Sequence, residues 1–295
     1  MSSTPSSQTG AVLLTGGTGK VASLIAPLLQ SAGIPAIIGS RSGKAPEGFT
    51  GVKFDWTDKS TWGPALSNTV KPVESVFIVF PRANNPGAIA SEFVDLAREK
   101  GVSRFVLLSA SAIDENGLAM GEIHRVLKNL GDEGKIAWAV LRPTWFQENF
   151  YYTDPVVKLI KEQNKITSAT GQGKVPWVST QDIANVGFFA LTSPKPPNRD
   201  FVILGPELLT YTELAEIFTL VLGRKIQYEE ISEAELAQFY VKAGLPADYA
   251  HVLASFDTEI KNGGEDQMNN VVLEITGKRP RSFREFVEAN KATWA

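Results

Sequence analysis

The chain has 295 residues, a formal net charge of −3 and a hydrophobic content of 43%, which are values typical of a globular protein. This charge gives no electrostatic basis for binding nucleic acid or an anionic membrane. Cysteine is absent and the only histidines are His124 and His251, which excludes disulfides and thiolate nucleophiles and argues against a metal site. No apolar run approaches the ~20 residues of a membrane helix. Residues 1–10 resemble a disordered tail and not a signal peptide, so we expect a cytoplasmic protein.

A glycine-rich turn after a short apolar run is the first strong signal. Residues 11–14 (Ala-Val-Leu-Leu) predict a strand, and a helical pattern follows from residue 20. The spacing Gly17-x-Gly19-x-x-Ala22 between them fits the dinucleotide fingerprint, in which bare backbone N–H groups and a helix N-terminus meet a pyrophosphate. An ordinary strand–turn–helix is the alternative. The predicted cofactor contacts in this stretch are Gly16, Gly17, Thr18, Gly19, Lys20 and Val21.

The turn after the second predicted strand, residues 34–38, indicates which dinucleotide is bound. An NAD site usually has Asp or Glu here to accept hydrogen bonds from the ribose 2′-hydroxyl. This chain has Ser40, Arg41, Ser42 and Lys44 instead. A guanidinium pairs with a 2′-phosphate and hydroxyls donate to it, so the pattern favours NADP(H), with a solvated basic turn as the alternative.

Further cofactor contacts are predicted at the ends of later strands. Asp55 follows the strand at 52–54, where it would bond the adenine amine or cap the next helix. Phe80 ends the strand at 76–80 and Pro81 follows it, and there they would wall the nicotinamide or form a stiff turn. The other predicted contacts at these positions are Ser109, Lys128, Pro143 and Thr144.

Four stretches resemble the NmrA-like, atypical short-chain dehydrogenase family: residues 15–20, 107–111, 141–149 and 179–184. The most specific is Leu-Arg-Pro-Thr-Trp-Phe-Gln-Glu-Asn at 141–149, and the resemblance covers nearly the whole chain. Within this family the chain is most similar to fungal ergot-alkaloid enzymes of the festuclavine synthase and agroclavine dehydrogenase type. The resemblance implies a chain that crosses between two parts more than once.

The β-α alternation up to residue 128 predicts an α/β fold with a doubly wound parallel Rossmann sheet and a smaller C-terminal α/β lobe. We expect residues 11–150 to form the NADP-binding domain, with crossover segments near 176–205. Residues 151–175 and 206–295 would form the substrate-binding lobe. Within the lobe, one helix is predicted at 151–163 and a short strand at 175–178.

The chain departs from the family in its catalytic residues. Short-chain dehydrogenases use Ser, Tyr and Lys, with Tyr-x-x-x-Lys on one helix. The matching spacing here is His124-x-x-x-Lys128, on one helix face, and Ser109 takes the family's serine position. His124 would be the general acid. Alternatively no acid is needed, because hydride addition to a cationic iminium forms a neutral amine; we favour this second hypothesis. For His124 and Lys128 a solvated helix position is the alternative.

We therefore expect an NADPH-dependent reductase of an imine, iminium or activated alkene in an indole-alkaloid-like substrate of fungal secondary metabolism. Predicted substrate contacts are Trp145, Phe146, Tyr152 and Trp177, whose rings would attract a cation by roughly 0.5–2 kcal/mol each unless they form lobe core. The family resemblance leaves a non-catalytic NADP sensor open, as does a cyclisation without redox change. A small molecule is the expected ligand, no metal is expected, and a homo-oligomer stays open.

Overall fold

The computed structural model describes residues 10–67, 71–80 and 83–295. Contacts divide the chain into two compact units. Unit 1 runs to Pro143 and takes in Ile183–Val202, and unit 2 comprises Thr144–Asp182 and Ile203–Ala295. The predicted tail apart from Gly10, and Pro81 among the predicted contacts, lie outside the described residues.

The strands of the described chain form two sheets. In chain order they are β1 (Ala11–Thr15), β2 (Ala36–Ser40), β3 (Thr50–Lys53), β4 (Val73–Ile78), β5 (Arg104–Leu108), β6 (Ala137–Pro143), β7 (Lys165–Ser168), β8 (Arg199–Ile203) and β9 (Gln227–Glu230). The larger sheet has seven strands in the order β3-β2-β1-β4-β5-β6-β8. Neighbouring strands from β3 to β6 are parallel, which confirms the doubly wound sheet. The strand order reverses between β1 and β4, where such folds bind their ligands.

Helices connect and cover these strands. They are α1 (Ala22–Ser31), α2 (Trp62–Ser67), α3 (Pro86–Glu99), α4 (Met120–Asp132), α5 (Asn149–Tyr152), α6 (Asp154–Gln163), α7 (Thr180–Thr192), α8 (Tyr211–Leu222), α9 (Glu233–Lys242), α10 (Ala247–Lys261), α11 (Val271–Thr276) and α12 (Phe283–Ala289). No helix in the described part of the chain is both long and apolar enough to span a bilayer.

Two predictions for unit 2 are wrong, and proline explains both. The predicted helix at 151–163 is split at Thr153, which is extended, because the ring of Pro155 would clash with the carbonyl of Tyr151 in a continuous helix. The predicted strand at 175–178 makes only isolated bridges from Val175 and Val178, because a proline at position 176 removes a ladder donor.

Each unit has its own apolar core. In unit 1 the strand β1 is buried along its whole length, as expected when helices cover both faces of a parallel sheet. In unit 2 the core is rich in aromatic rings at edge-to-face angles, among them Phe150, Phe218, Phe283 and Trp294. The two-stranded parallel sheet of β7 and β9 also belongs to unit 2.

Candidate functional site

The turn after β1 is built from glycines at positions where a side chain does not fit. Gly16 has a φ of +61°, which L side chains rarely adopt. A Cβ on Gly17 would lie 2.8 Å from both the Leu14 carbonyl oxygen and Ile38 Cγ2. The Gly17 amide donates to the Gly39 carbonyl at 3.0 Å and so ties the turn to β2. The result is a compact turn whose backbone is not covered by side chains.

Thr15 fixes this turn at the point where the strand order reverses. Its Oγ1 donates to the Phe77 carbonyl at 2.9 Å and accepts from the Val79 amide at 2.9 Å. Both partners lie at the carboxyl end of β4, so one hydroxyl joins the ends of β1 and β4. The threonine of the fingerprint therefore positions the glycines.

The N-terminus of α1 provides unpaired donors next to the turn. Its N-cap, Val21, makes no side-chain cap, and the first turn of this 10-residue helix has no acidic residue. The amides of Thr18 and Val21 donate no hydrogen bond to any residue in the described ranges. Unpaired amides at the positive end of a helix bind anions. A pyrophosphate fits this cradle.

The basic turn after β2 presents one unengaged guanidinium. The Ser40 Oγ donates to the Lys44 carbonyl at 2.8 Å and lies 3.5 Å from the Ser42 Oγ, so this hydroxyl helps to close the turn. Arg41 is exposed and forms no hydrogen bond or ion pair with the residues described; its charge contributes to lowering the pKa of Asp55. Arg41 is therefore available to a phosphate.

Asp55 bonds to the turn that directly follows it. Its Oδ1 accepts from the Thr57 amide at 2.9 Å and from the Thr57 hydroxyl at 2.8 Å, and these bonds hold the pKa of Asp55 below its usual value. The cap of the following 3-10 turn, Lys59–Thr61, is however Asp58, which accepts from the Ser60 amide. The Asp55 carboxylate is thus committed through one oxygen to its own turn.

At the ends of β4 and β5 the two predicted contacts have different environments. The ring of Phe80 is buried in the core of unit 1 and lies 4.7 Å from the ring of Trp56, and its contact with the nicotinamide stays a prediction. Ser109 is 9% exposed, and its Oγ is buried without a hydrogen-bond partner. A buried hydroxyl without a partner calls for explanation, and a bound ribose or nicotinamide amide would supply one.

His124 and Lys128 lie on one face of helix α4, at positions four apart, but in different environments. His124 is 1% exposed, its ring lies 5.6 Å from that of Trp138, and burial lowers its pKa. The Lys128 Nζ pairs with Asp132 Oδ2 at 2.6 Å, and this hydrogen bond raises the pKa of Lys128. The Lys-to-Asp spacing of four was visible in the sequence and predicts such a pair.

The residues at the end of β6 make contacts within their own units. The Pro143 carbonyl accepts from the Ser111 amide at 2.8 Å in unit 1. The Thr144 Oγ1 donates to Glu265 Oε2 at 2.8 Å in unit 2, where Thr144 is 3% exposed. The hydrogen of the Thr144 hydroxyl is thus committed to Glu265, and the cofactor contact of Thr144 stays a prediction.

The four predicted substrate aromatics have different environments. Trp177 is 2% exposed and packs among core rings, which supports the alternative that it forms lobe core. Trp145 and Phe146 are half-buried, and the Trp145 ring lies 6.4 Å from that of Phe256. Tyr152 is 56% exposed. Of the four, Trp145 is half-buried and packs against the core of unit 2, and Phe146 is half-buried and bridges to Val178.

A functional candidate that the sequence interpretation missed is Asp257 on α10. It is 2% exposed, and its Oδ2 accepts from the Ala169 amide at 2.8 Å. The sequence contained an indication of this residue, because an acid on the apolar face of a helix is unusual. The buried residues of α10 are Ala250, Ala254, Asp257 and Ile260. In the described residues no group of His, Asp and Glu could hold a metal ion.

Comparison with known proteins agrees with this geometry. The profile of the NmrA-like family matches residues 8–287. Festuclavine synthase II of Penicillium roqueforti is 42% identical over 289 residues, covering 96% of this chain and 99% of the relative. Agroclavine dehydrogenase of Claviceps fusiformis is 43% identical over 286 residues, covering 96% and 98%.

Among solved structures, the Citrobacter sp. triphenylmethane reductase complexed with NADP(H) aligns with a TM-score of 0.77 at 20% identity, covering 95% of this chain and 99% of that one. At that identity the likeness shows the fold. The profile match and the two fungal relatives go further, and together they show that the chain belongs to the NmrA-like family.

Proposed function

We propose that this protein is an NADPH-dependent reductase that transfers a hydride to an iminium or imine carbon of an indole-alkaloid-like small molecule. The observation that carries the proposal is the identity of 42% with festuclavine synthase II across 96% of the chain. Agroclavine dehydrogenase, at 43%, supports the same reaction class. The choice of an imine or iminium as the hydride acceptor goes beyond what the names of the relatives state. Residues that would hold the cofactor, and the surroundings of α4, support the proposal.

The groups that would hold the cofactor are in unit 1. The unpaired amides of Thr18 and Val21 would bind the pyrophosphate at the N-terminus of α1. Arg41 would pair with the 2′-phosphate, which only NADP(H) carries. The Ser109 Oγ, buried without a partner, would bond the nicotinamide half. NADPH bound there supplies the hydride.

The surroundings of α4 support a reaction without a general acid. Burial lowers the pKa of His124, so its imidazole is neutral near pH 7 and a poor proton donor. Lys128 is occupied by Asp132. An iminium needs neither residue: the hydride pair forms the new C–H bond, the C=N π pair returns to nitrogen, and a neutral amine results.

The test is NADPH oxidation by the full-length protein with an N-methyl-dihydro-β-carbolinium, an indole fused to a permanent iminium. We expect loss of nicotinamide absorbance with formation of one amine for each NADPH consumed. The corresponding neutral lactam should not react. Tight NADPH binding with no turnover on imines, iminium ions or activated alkenes would overturn the proposal in favour of a cofactor sensor.

A further inference from the structure

Asp257 is a buried carboxylate that lacks a compensating cation. One oxygen accepts a single backbone hydrogen bond, from Ala169 at 2.8 Å. The other oxygen accepts none, and no cationic side chain in the described residues pairs with the group. The charged residue that does act on it is Glu233 of α9, which is also an acid. Burying a charge is costly unless it is paired, so this carboxylate is a site that a cation from outside would complete.

Aromatic and hydroxyl groups of unit 2 lie near the Ala169 amide that binds this carboxylate. Tyr240 of α9 is half-buried and packs against the apolar cluster that contains Ala169. The half-buried ring of Tyr211 lies 5.8 Å from that of Tyr228, whose hydroxyl accepts from the Ser168 Oγ at 3.2 Å, one residue before Ala169. Burial raises the pKa of both Tyr211 and Tyr240, and the charge of Asp257 contributes. From Tyr211 a chain of ring contacts leads through Trp177, at 5.7 Å, to Trp145, at 6.4 Å. Ring faces attract cations, and most strongly where water is excluded.

We propose that Asp257 is the counter-ion that binds the positively charged nitrogen of an aromatic amine or iminium ligand in unit 2. This inference rests on the proposed function, because it takes the ligand to be the substrate of the proposed reductase. It adds the group that would recognise the positive charge of that ligand. A carboxylate held by one backbone amide stays ionised when a cation pairs with it, and half-buried aromatic side chains of unit 2 can contact a flat ring system.

The choice of a cation follows from the charges around the site. Glu233 adds a second negative charge beside Asp257, so an anionic ligand would be repelled by both. A neutral ligand would leave the Asp257 carboxylate unpaired. A cation joined to an aromatic ring system satisfies the carboxylate and covers the exposed ring surface at once. Lysine, arginine and histidine from the described chain do not occupy this place, so the charge must come with the ligand.

The experiment measures binding and not turnover. The full-length protein is titrated by calorimetry with the N-methyl-dihydro-β-carbolinium and, separately, with its neutral lactam of the same ring skeleton. Asp257→Asn keeps an acceptor for the Ala169 amide and removes the charge. Glu259→Gln removes one negative charge from an exposed position of the same helix and is the matched control.

We expect Asp257→Asn to weaken binding of the carbolinium by about tenfold or more, since it removes a charge-assisted pair, while the lactam affinity changes less than about twofold. Glu259→Gln should change neither affinity. Equal losses for both ligands would mean that Asp257 only shapes the fold, and a wild-type protein that does not prefer the cation would overturn the inference. Binding through Asp257 without NADPH oxidation would instead refute the proposed reductase and leave the cation site intact.

A measurement on the wild-type protein covers the case in which the variant does not fold. Affinity for the permanently charged carbolinium should fall as pH drops through about 6, the pKa to which burial raises Asp257, while affinity for the lactam stays level. The groups that face Asp257 are Glu233 and the phenols of Tyr211 and Tyr240, which stay protonated in this range because burial raises their pKa. Repeating the titration with Glu233→Gln separates the two acids: a pH dependence that disappears there would overturn the assignment.

Discussion

Replacing Asp257 by Asn should stabilise the protein near neutral pH, although it removes a native hydrogen-bonding group. Burial raises the pKa of Asp257 from 3.8 to about 6, so the folded protein holds this proton more tightly than the unfolded chain does. Between these two values the folded state binds more protons than the unfolded state, and the free energy of unfolding therefore falls as pH rises. Below the lower value both states are protonated, so the carboxyl does not reduce the free energy of unfolding.

The size of the effect follows from the same shift. Each pKa unit corresponds to about 1.4 kcal/mol, so two units correspond to ~3 kcal/mol of lost stability above pH 6. Asn resembles the protonated carboxyl and keeps an acceptor for the Ala169 amide. We expect Asp257→Asn to match the wild type below about pH 4 and to exceed its free energy of unfolding by ~3 kcal/mol at pH 7.

Urea unfolding at a series of pH values, followed by tryptophan fluorescence, measures this difference. Glu259→Gln, on the exposed side of the same helix, should show no comparable rise. If the difference between Asp257→Asn and the wild type were constant with pH, or if the variant were less stable at pH 7, the carboxylate would have a partner in solution and our account of its burial would fail.

Three further predictions concern the cofactor and the hydride step. Arg41→Ala should weaken NADPH binding by about tenfold or more and leave NADH nearly unchanged, since only the 2′-phosphate loses a charge-assisted bond; equal losses would remove Arg41 from the phosphate site. Gly17→Ala should lower the free energy of unfolding by about 1–3 kcal/mol and impair NADPH binding, because its Cβ would lie 2.8 Å from Ile38 Cγ2. Gly63→Ala, in α2, meets no atom closer than 3.9 Å and should be neutral or stabilising by up to about 1 kcal/mol; similar unfolding curves for the two variants would contradict the steric argument. Reduction of the carbolinium should show a solvent deuterium isotope effect of about 1 and a primary effect from deuterated NADPH, whereas a solvent effect of about 2 or more would indicate a general acid.

Local patterns predicted much of the fold because their causes are local. The apolar run at residues 104–108 predicts a strand, and β5 has those bounds. The pattern at 211–222, preceded by Thr210 as a cap, predicts a helix, and α8 has those bounds, with Thr210 forming a capping box with Glu213. Caps, glycine turns and apolar periodicity act over three to five positions, so a reader of the sequence sees all of the interacting groups.

The glycine-rich cradle and the basic turn at Arg41 are also features whose causes are local in the sequence. The glycine spacing at residues 16–19 and the missing acid after β2 are properties of short stretches, and they indicate NADP(H) without knowledge of any distant residue. Family membership also follows from such stretches, and the profile match over residues 8–287 confirms it.

The sequence by itself thus determined the sheet and the family, and it predicted the place of the phosphates. Only the tertiary structure decided which polar and aromatic side chains are buried, because burial depends on segments far away in the chain. Trp177 became core through rings such as Phe150 and Phe283, and His124 was enclosed against Trp138. Asp257 meets the Ala169 amide across 88 positions of sequence, a separation that no local pattern spans.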